Sequence, residues 1–502
     1  MKYFHLSDML LESTKRYRGR AVMNRHTYEE LSFLSQDYQS RFRNMGLLSK
    51  QRVALIGKRS LPWVASLLAL WRNDNVVIPL SGNIPSLVQR CKPIMLWDAD
   101  HTLPIFSSSS TTTTTSATTQ QPFSGKNTHD PALILFTSGS TKEPKGVVLS
   151  HHNILCNLEM MDTIYETDIT PHDSSFSMIP WHHCYGLVCE LLYMLKKGAC
   201  VHVPENLNPK KSFLEMKWRA PTLFFSVPKI LEGIYKKDAQ LFFLHDTMKR
   251  WAFFGPRLRM MSVGGSFCHE DIFDYIEDRL RVPIYQGYGM TELSPMIALN
   301  GKGNNKRGSV GRVLPNVSLR ISPQQEILVS GPNLMLGYLD SSYPGFSEKS
   351  IPIPLIYPWG EGKDDKYFET GDKGNVDGEG FLTITGRKKN EYKLSNGKYV
   401  DPVFIESCIQ LHPDFQQVLV FPNQEFTYNK AMIYPDPSCP ERKNKKWIQE
   451  NVREILKDRV QEYEVPREIL ILSEPCTQEN GLLTQKMELR REAILRHFGL
   501  ML

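Results

Sequence analysis

The chain has 502 residues, too many for a single hydrophobic core, so two or more domains are expected. Hydrophobic residues at 41 % and charged residues at 23 % are ordinary globular proportions, far from those of disordered or collagen-like chains. A formal net charge of +6, spread along the chain, is too mild to indicate nucleic acid; it suits contact with anionic cofactors or an anionic membrane surface.

Residues 1–20 lack a sustained apolar region, so no secretory signal is expected. No run reaches the roughly 18 apolar residues of a spanning helix, while peripheral membrane contact stays open. Residues 28–46 carry a helical pattern, and 52–56 (RVALI) form a short buried strand. Residues 63–71 have the continuous apolar character of a packed helix, and 76–80 return to strand. This alternation points to α/β architecture. The stretch 107–121, SSSSTTTTTSATTQQ, cannot bury apolar surface and reads as a disordered surface loop.

At 133–150, LILFTSGSTKEPKGVVLS, an apolar strand ends in a hydroxyl-rich loop and a second apolar strand follows. Small residues let successive N–H groups turn inward, and hydroxyls and lysines add donors and charge, a combination that suits a polyphosphate. The Walker spacing of Gly-Lys-Ser/Thr is absent. Read alone, the segment is equally a plain polar turn. A helix is expected at 151–165, then a long buried apolar helix at 187–195 and strands at 199–203, 222–227 and 259–263. The last ends in Gly264-Gly265-Ser266. A helix at 270–280 leads to a strand at 282–285, which ends in Gln286-Gly287-Tyr288-Gly289-Met290-Thr291-Glu292. Three strands ending in small or hydroxyl-bearing loops favour a shared site, because open α/β sheets bind ligands beyond the carboxyl ends of their strands.

From residue 326 the pattern becomes β-rich, with strands at 326–330, 336–338 and 381–385 and a hairpin turn at Gly378-Glu379-Gly380. The charged run Gly386-Arg387-Lys388-Lys389-Asn390 breaks it and marks a domain boundary. Beyond lie helices at 402–410 and 446–460 and strands at 418–421, 431–434 and 469–472. The nine cysteines are scattered without a CxxC pair, so neither a zinc site nor a disulfide framework is suggested, and a reducing, cytoplasmic setting fits.

The ordered set TSGSTKEPKGVVLSH, IPWHHCYG, YGMTE, ETGD and GRKKNEYKLSNGKYV resembles the adenylate-forming superfamily of acyl-CoA synthetases, luciferases and peptide-synthetase adenylation domains. Pro180-Trp181-x-His183-x-Tyr185-Gly186, GRKKNEYKL and the terminal ENGLLTQ are most similar to its long-chain fatty acyl-CoA synthetase branch. The resemblance implies an α/β N-terminal domain with a β-rich subdomain (1–386), a hinge (387–390) and a small mobile α+β C-terminal domain (391–502). It implies activation of a medium- or long-chain fatty acid with ATP to the acyl-adenylate, then transfer to coenzyme A. A carrier-protein acceptor and a catalytically impaired nucleotide- or acyl-binding homologue are the alternatives.

By the same resemblance, Thr137, Ser138, Gly139, Ser140, Thr141 and Lys145 would hold the β- and γ-phosphates. Tyr288, flanked by Gly287 and Gly289, would pack on adenine, and Gly264, Gly265 and Ser266 would let backbone approach it. Thr291 would meet the α-phosphate, Glu292 would bind magnesium, Asp372 would accept from the ribose and Arg387 would contact ribose or phosphate. His183 would gate the carboxylate pocket, with Trp181, Tyr185, Leu187, Val227, Met290 and Met296 as candidate acyl neighbours. Lys389 would be the hinge residue, and Lys393 and Gly397 would lie near coenzyme A; Glu406 matches a helix-borne glutamate of the C-terminal domain. Two departures stand out. Lys142 occupies a glycine position of the phosphate loop, and Glu488 occupies the position of the C-terminal lysine, with Lys486 two residues earlier as its candidate substitute.

Overall fold

The computed structural model describes residues 2–82, 84–101, 103–106, 126–137, 144–165, 168–205, 208–238, 245–342, 353–357, 367–484 and 488–500. The low-complexity stretch 107–121, the loop residues Ser138, Gly139, Ser140, Thr141 and Lys142, and Lys486 lie outside the described residues.

Two large sheets dominate. One has eight strands. Its centre is made of Val76–Pro79, Arg52–Ile56 and Met95–Asp98, which run parallel, while Pro131–Thr137 (β1) and Lys145–Ser150 (β2) form an antiparallel hairpin beside them. The central strands read as unbroken apolar runs because both faces are covered. The helix Leu61–Arg72 packs on this sheet with only Pro62 and Arg72 outside the buried set, which is why it shows no polar face. Ser60 caps it by accepting from the Trp63 N–H, and Trp71 Nε1 donates to the Ala132 carbonyl at 3.0 Å, fixing helix to strand.

The second sheet has nine strands, with Leu223–Ser226 (β3), Met260–Val263 (β4) and Ile284–Gly289 (β5) adjacent and parallel in its middle. The helix His151–Tyr165 and the segment Tyr185–Lys197 lie in the principal core shared by both sheets. A four-stranded antiparallel sheet follows, which includes Glu326–Ser330, Phe368–Val376 (β7) and Leu382–Arg387 (β8). Between its two numbered strands the expected hairpin turn is held by Asp377 Oδ1, which accepts from the Glu379 and Phe381 N–H groups at 2.9 Å. The strand Gly337–Leu339 (β6) returns to the first sheet and pairs with β2. The carboxyl-terminal unit has its own three-stranded sheet, Phe415–Pro422, Asn429–Pro435 and Glu468–Ile471, with helices Pro402–Gln410 and Lys445–Leu456 and a separate core that includes Ile405, Val420, Ile433 and Ile448. It meets the rest through Phe404 stacked on His269, an Arg459–Asp271 ion pair of 3.0 Å and a 2.7 Å bond from Lys236 Nζ to the Phe415 carbonyl.

Four expectations are corrected. The apolar segment expected as a helix at 187–195 is a π-helix, Tyr185–Leu192, continued by an α-helix, Tyr193–Lys197. The helix expected at 270–280 likewise divides into α, Glu270–Phe273, and π, Asp274–Arg279. The strand expected to stop at Tyr285 continues to Gly289, because the return strand Met296–Leu299 pairs with its glycines. The helix expected to reach Val460 ends at Leu456, its last inward position after Ile448 and Val452, and Asp458 turns left-handed at φ +62°.

Candidate active site

The parallel strands β3, β4 and β5 end side by side, with Ser226 opposite Val263 and Val263 opposite Gln286. Just beyond, Gly264 passes so close to the next strand that a Cβ would stand 3.3 Å from the Gly287 carbonyl oxygen and 3.7 Å from Tyr185 Cζ. Gly265 turns left-handed at φ +92°, and a Cβ there would stand 3.7 Å from Val227. Tyr185 donates its hydroxyl to Ser262, whose carbonyl and Oγ both lie at 3.2 Å. Tyr185, Val227, Gly264, Gly265 and Gly287 therefore share one small volume at the strand ends. Trp181 and Leu187 belong instead to the buried core, where Trp181 packs on Trp63 and donates to Ser177, while Met296, also buried, has its methyl 2.4 Å from where a Gly287 Cβ would stand. His183 sits at the entrance of the π-helix, its N–H on the Pro180 carbonyl and its carbonyl receiving Leu187 N–H at 3.0 Å. Its ring centre is 4.3 Å from that of His182, whose imidazole is pushed down to about 4 by burial and then by the Arg59 charge.

The π-helix carries one acid into this core. Glu190 is fully buried and accepts from Ser175 Oγ at 3.0 Å and Ser177 Oγ at 2.8 Å. Burial pushes its carboxyl up to about 7, against the pull of the two serines and of Arg59. Folded protein thus holds this proton more tightly than the unfolded chain, where glutamate ionises near ~4.3. Between those values the group makes stability fall as pH rises, and the loss is complete above about 7. Glu190→Gln is expected to be about 3–4 kcal/mol more stable than the parent at about pH 8 and equal to it at about pH 4, measured by urea unfolding. A pH-independent difference would contradict this origin.

A second cluster forms around Tyr288, the residue of β5 that follows Gly287. Tyr288 donates to Asp372 Oδ2 at 2.8 Å, and Arg387 Nε donates to Asp372 Oδ1 at 2.7 Å. Asp372 and Arg387 are register partners across β7 and β8. Thr370 Oγ1 accepts from the Asp372 N–H at 3.1 Å and fixes that strand position. Asp372 is buried while the guanidinium reaches solvent. Arg387 is held protonated by the Asp372 charge first, with Glu488 adding to it, so the carboxyl-terminal loop contributes to the field here. Burial and the Asp372 charge push the Tyr288 hydroxyl well above its ordinary range.

Glu292, buried on the short turn Thr291–Leu293, accepts from the Tyr338 hydroxyl at 2.9 Å. The Lys145 ammonium stands 4.7 Å above the Tyr338 ring, and Tyr338 is paired with Val147 of the hairpin. Thr137 and Lys145 are register partners at the hairpin's mouth. The three loop-ending strands thus divide between two sheets, and β6 joins them. Lys389 lies in the tight turn after β8, where Asn390 and Glu391 N–H groups both return to the Arg387 carbonyl. Lys393 and Gly397 belong to the small hairpin of Tyr392–Lys393 and Tyr399–Val400, whose Tyr399 ring has the Lys373 and Lys393 ammonium groups over it at 5.6 and 5.5 Å. Glu406 is held by Arg491 at 2.8 and 2.9 Å and by the Val420 N–H, a structural set of bonds. Glu488 is exposed in a loop closed by Thr484 N–H on its carbonyl.

Sequence reasoning missed Tyr338 and the Glu190–Ser175–Ser177 group. It also missed a buried trio, His5, Asp74 and His151, whose donor atoms lie within 4.8 Å of one another. Two imidazole nitrogens at ~2.1 Å from one tetrahedral zinc would hold their ring centres about 5 Å apart. The His5 and His151 centres are 3.4 Å apart and tilted by 34°, which is packing of faces rather than a shared coordination geometry.

Comparison with known proteins bears on this arrangement. Residues 96–339 match the family model "AMP-binding enzyme", and residues 390–500 match "AMP-binding enzyme C-terminal domain". The chain belongs to the AMP-binding enzyme family. Among relatives of this AMP-binding protein, the probable 4-coumarate–CoA ligase 2 of Dictyostelium discoideum is 32 % identical over 302 residues, covering 57 % of this chain and 50 % of that protein. The chain thus spans about half the length of that relative. Long-chain-fatty-acid–CoA ligase 6 of Rattus norvegicus is 25 % identical over 435 residues, covering 74 % of this chain and 60 % of that one. The crystal structure of an anthranilate CoA ligase in complex with anthranoyl-AMP superposes with a TM-score of 0.78 at 17 % identity, covering 99 % of this chain and 98 % of the other. At that identity the likeness establishes the fold: a large α/β amino-terminal part and a small carboxyl-terminal part.

Proposed function

We propose that this AMP-binding protein activates a carboxylic acid with ATP and passes the acyl group to the thiol of coenzyme A, with a medium- or long-chain fatty acid as substrate. The observation that carries the reading is the bonded set Tyr288–Asp372–Arg387 next to the cradle of Gly264 and Gly265. In the first step a carboxylate oxygen attacks the α-phosphorus and the bond to pyrophosphate breaks. In the second the coenzyme A sulfur attacks the acyl carbon, the bond to AMP breaks and the thiol proton leaves to solvent. Asp372 would accept from the ribose hydroxyls, Tyr288 would pack on adenine, and Arg387 would offer its exposed guanidinium edge to ribose or phosphate. The hairpin residues Thr137 and Lys145, with Ser138, Gly139, Ser140 and Thr141, would grip the outer phosphates. Thr291 would meet the α-phosphate, and His183 would orient the incoming carboxylate. Glu292 suits magnesium, since a single buried carboxylate is a hard oxygen donor; the ion, when bound, neutralises phosphate charge. Lys389 would sit at the hinge 387–390, and Lys393 and Gly397 would approach coenzyme A after the carboxyl-terminal unit moves.

The relatives carry names for coumarate and long-chain fatty acids, so the acid has to be measured. A panel of fatty acids, 4-coumarate and anthranilate with ATP, magnesium and coenzyme A, read by AMP formation and acyl-CoA mass, is expected to favour the fatty acids. AMP formation with none of the acids would overturn the reading. One observation favours a second reading, a nucleotide- or acyl-binding protein without turnover: Glu488 contributes negative charge where the family resemblance calls for lysine. Glu488→Lys separates the two. The active enzyme is expected to form AMP about tenfold faster with the lysine, whose charge favours the transition state. The binding protein would bind ATP in calorimetry and gain no turnover.

A further inference from the structure

We infer that the helices Pro209–Arg219 (α1) and Asp246–Phe254 (α2) form a docking surface for an anionic lipid bilayer. The two helices pack on each other and, through Met216, Phe253 and Phe254, on an apolar core shared with Phe224. Their outward faces are unusual. Trp218 is 77 % exposed and Trp251 51 %, and Leu214 and Met248 are exposed beside them. On α1, Lys211, Leu214 and Trp218 fall at i, i+3 and i+7, so they line one stripe, with Lys217 flanking it. On α2, Met248 and Trp251 are i, i+3 neighbours. Isolated exposed apolar residues are ordinary, but two tryptophans grouped with leucine and methionine on packed helices are not.

The charges decide what covers this face. In sequence the two helices carry six basic residues against two acidic ones; Lys249 is buried against Asp246, so the outward excess rests on the exposed lysines of α1. Glu215 is neutralised by Arg219 at 3.6 Å. Lys211 and Lys217 are exposed and enter no ion pair among the described residues. A second copy of the chain docked by two-fold symmetry would bring these lysines against their own equivalents, which is repulsive. An anionic bilayer meets every feature at once. Indole rings settle at the headgroup level, leucine and methionine enter the acyl boundary, and lysines pair with lipid phosphates, their stems covering apolar surface. No described helix is long and apolar enough to cross a membrane, so the contact is peripheral. The surface is independent of which acid the enzyme activates.

The test uses the full chain with vesicles of phosphatidylcholine, with and without phosphatidylglycerol. Co-sedimentation with the anionic vesicles is expected, together with a blue shift of tryptophan emission, and both should weaken with salt. Lys211→Glu/Lys217→Glu is expected to weaken anionic-vesicle binding by about tenfold or more. Trp218→Ala/Trp251→Ala is expected to abolish binding and shift alike, and circular dichroism should stay unchanged because both rings are exposed. Failure of the parent chain to bind anionic vesicles overturns the inference, as does equal binding by folded variants. A dimer in analytical ultracentrifugation that Trp218→Ala/Trp251→Ala dissolves would assign the face to self-association and overturn it too.

Discussion

Asp372→Ala is expected to cut acid-dependent AMP formation by about a hundredfold or more, equivalent to roughly 3 kcal/mol. The carboxylate is buried and accepts two short bonds, from Tyr288 and from Arg387. Removing it leaves a buried tyrosine hydroxyl without its acceptor and a guanidinium without its counter-charge, and on the proposed reading it removes the ribose acceptor as well. The stability loss should be smaller than for a fully buried pair, because Arg387 reaches solvent on its far side. Asp372→Asn keeps an acceptor for Tyr288 but loses the charge that holds Arg387, so it should fall between parent and alanine variant. Calorimetric titration with ATP and a thermal melt distinguish a binding defect from a folding defect. Unchanged ATP affinity and turnover in Asp372→Ala would remove this cluster from the nucleotide site.

Gly289→Ala is expected to destabilise the protein by about 2–4 kcal/mol and to take most of the activity with it. A Cβ at Gly289 would stand 2.1 Å from the Pro295 carbonyl oxygen, 2.8 Å from its carbon and 3.0 Å from Met296 Cα. All three are backbone atoms, so no rotamer change relieves the contact. The return strand must move away from β5, and Thr291 and Glu292 ride on the turn between them. Gly378→Ala is the matched control: nothing lies within 4 Å of its Cβ position, and the change should stay within about 0.5 kcal/mol. Urea unfolding of both variants checks the pair of values. A neutral Gly289→Ala would mean that the strand pairing is not as tight as its register implies.

The strands were legible wherever burial on both faces writes a continuous apolar run, as at Arg52–Ile56 and Met260–Val263. The loops after them were legible because small and hydroxyl residues interrupt those runs. Gly287 and Gly289 misled for the same reason. Read locally they break a strand, whereas in the sheet they admit the return strand. The division of the apolar helix into π and α turns left no local signal, since every side chain from Gly186 to Leu192 is buried either way. Tyr338 lies 46 residues from the glutamate it bonds, and Ser177 lies 13 residues from Glu190. Pairings of that kind depend on which strands become neighbours, which periodicity does not encode. Asp372 with Arg387 was nearer to the surface of the text, because one hairpin joins them.

Among the described residues, the carboxyl-terminal unit packs most of its apolar side chains in its own core and meets the remainder through scattered contacts: Phe404 against His269 and Phe267, Cys408 Sγ 3.4 Å from His269 Nε2, Leu411 in the core around Phe224, the Arg459–Asp271 pair and the Lys236–Phe415 bond. Such a seam behaves as a catch rather than a weld. Undoing it would uncover Leu411, Phe404 and Phe267 but leave each unit's own sheet paired, so on the proposed reading the unit would be set down in a second orientation as a rigid piece. On that reading the turning would be concentrated in the few backbone bonds around Arg387–Asn390, where the Lys388 N–H meets the Gly371 carbonyl and the Asn390 and Glu391 N–H groups return to the Arg387 carbonyl.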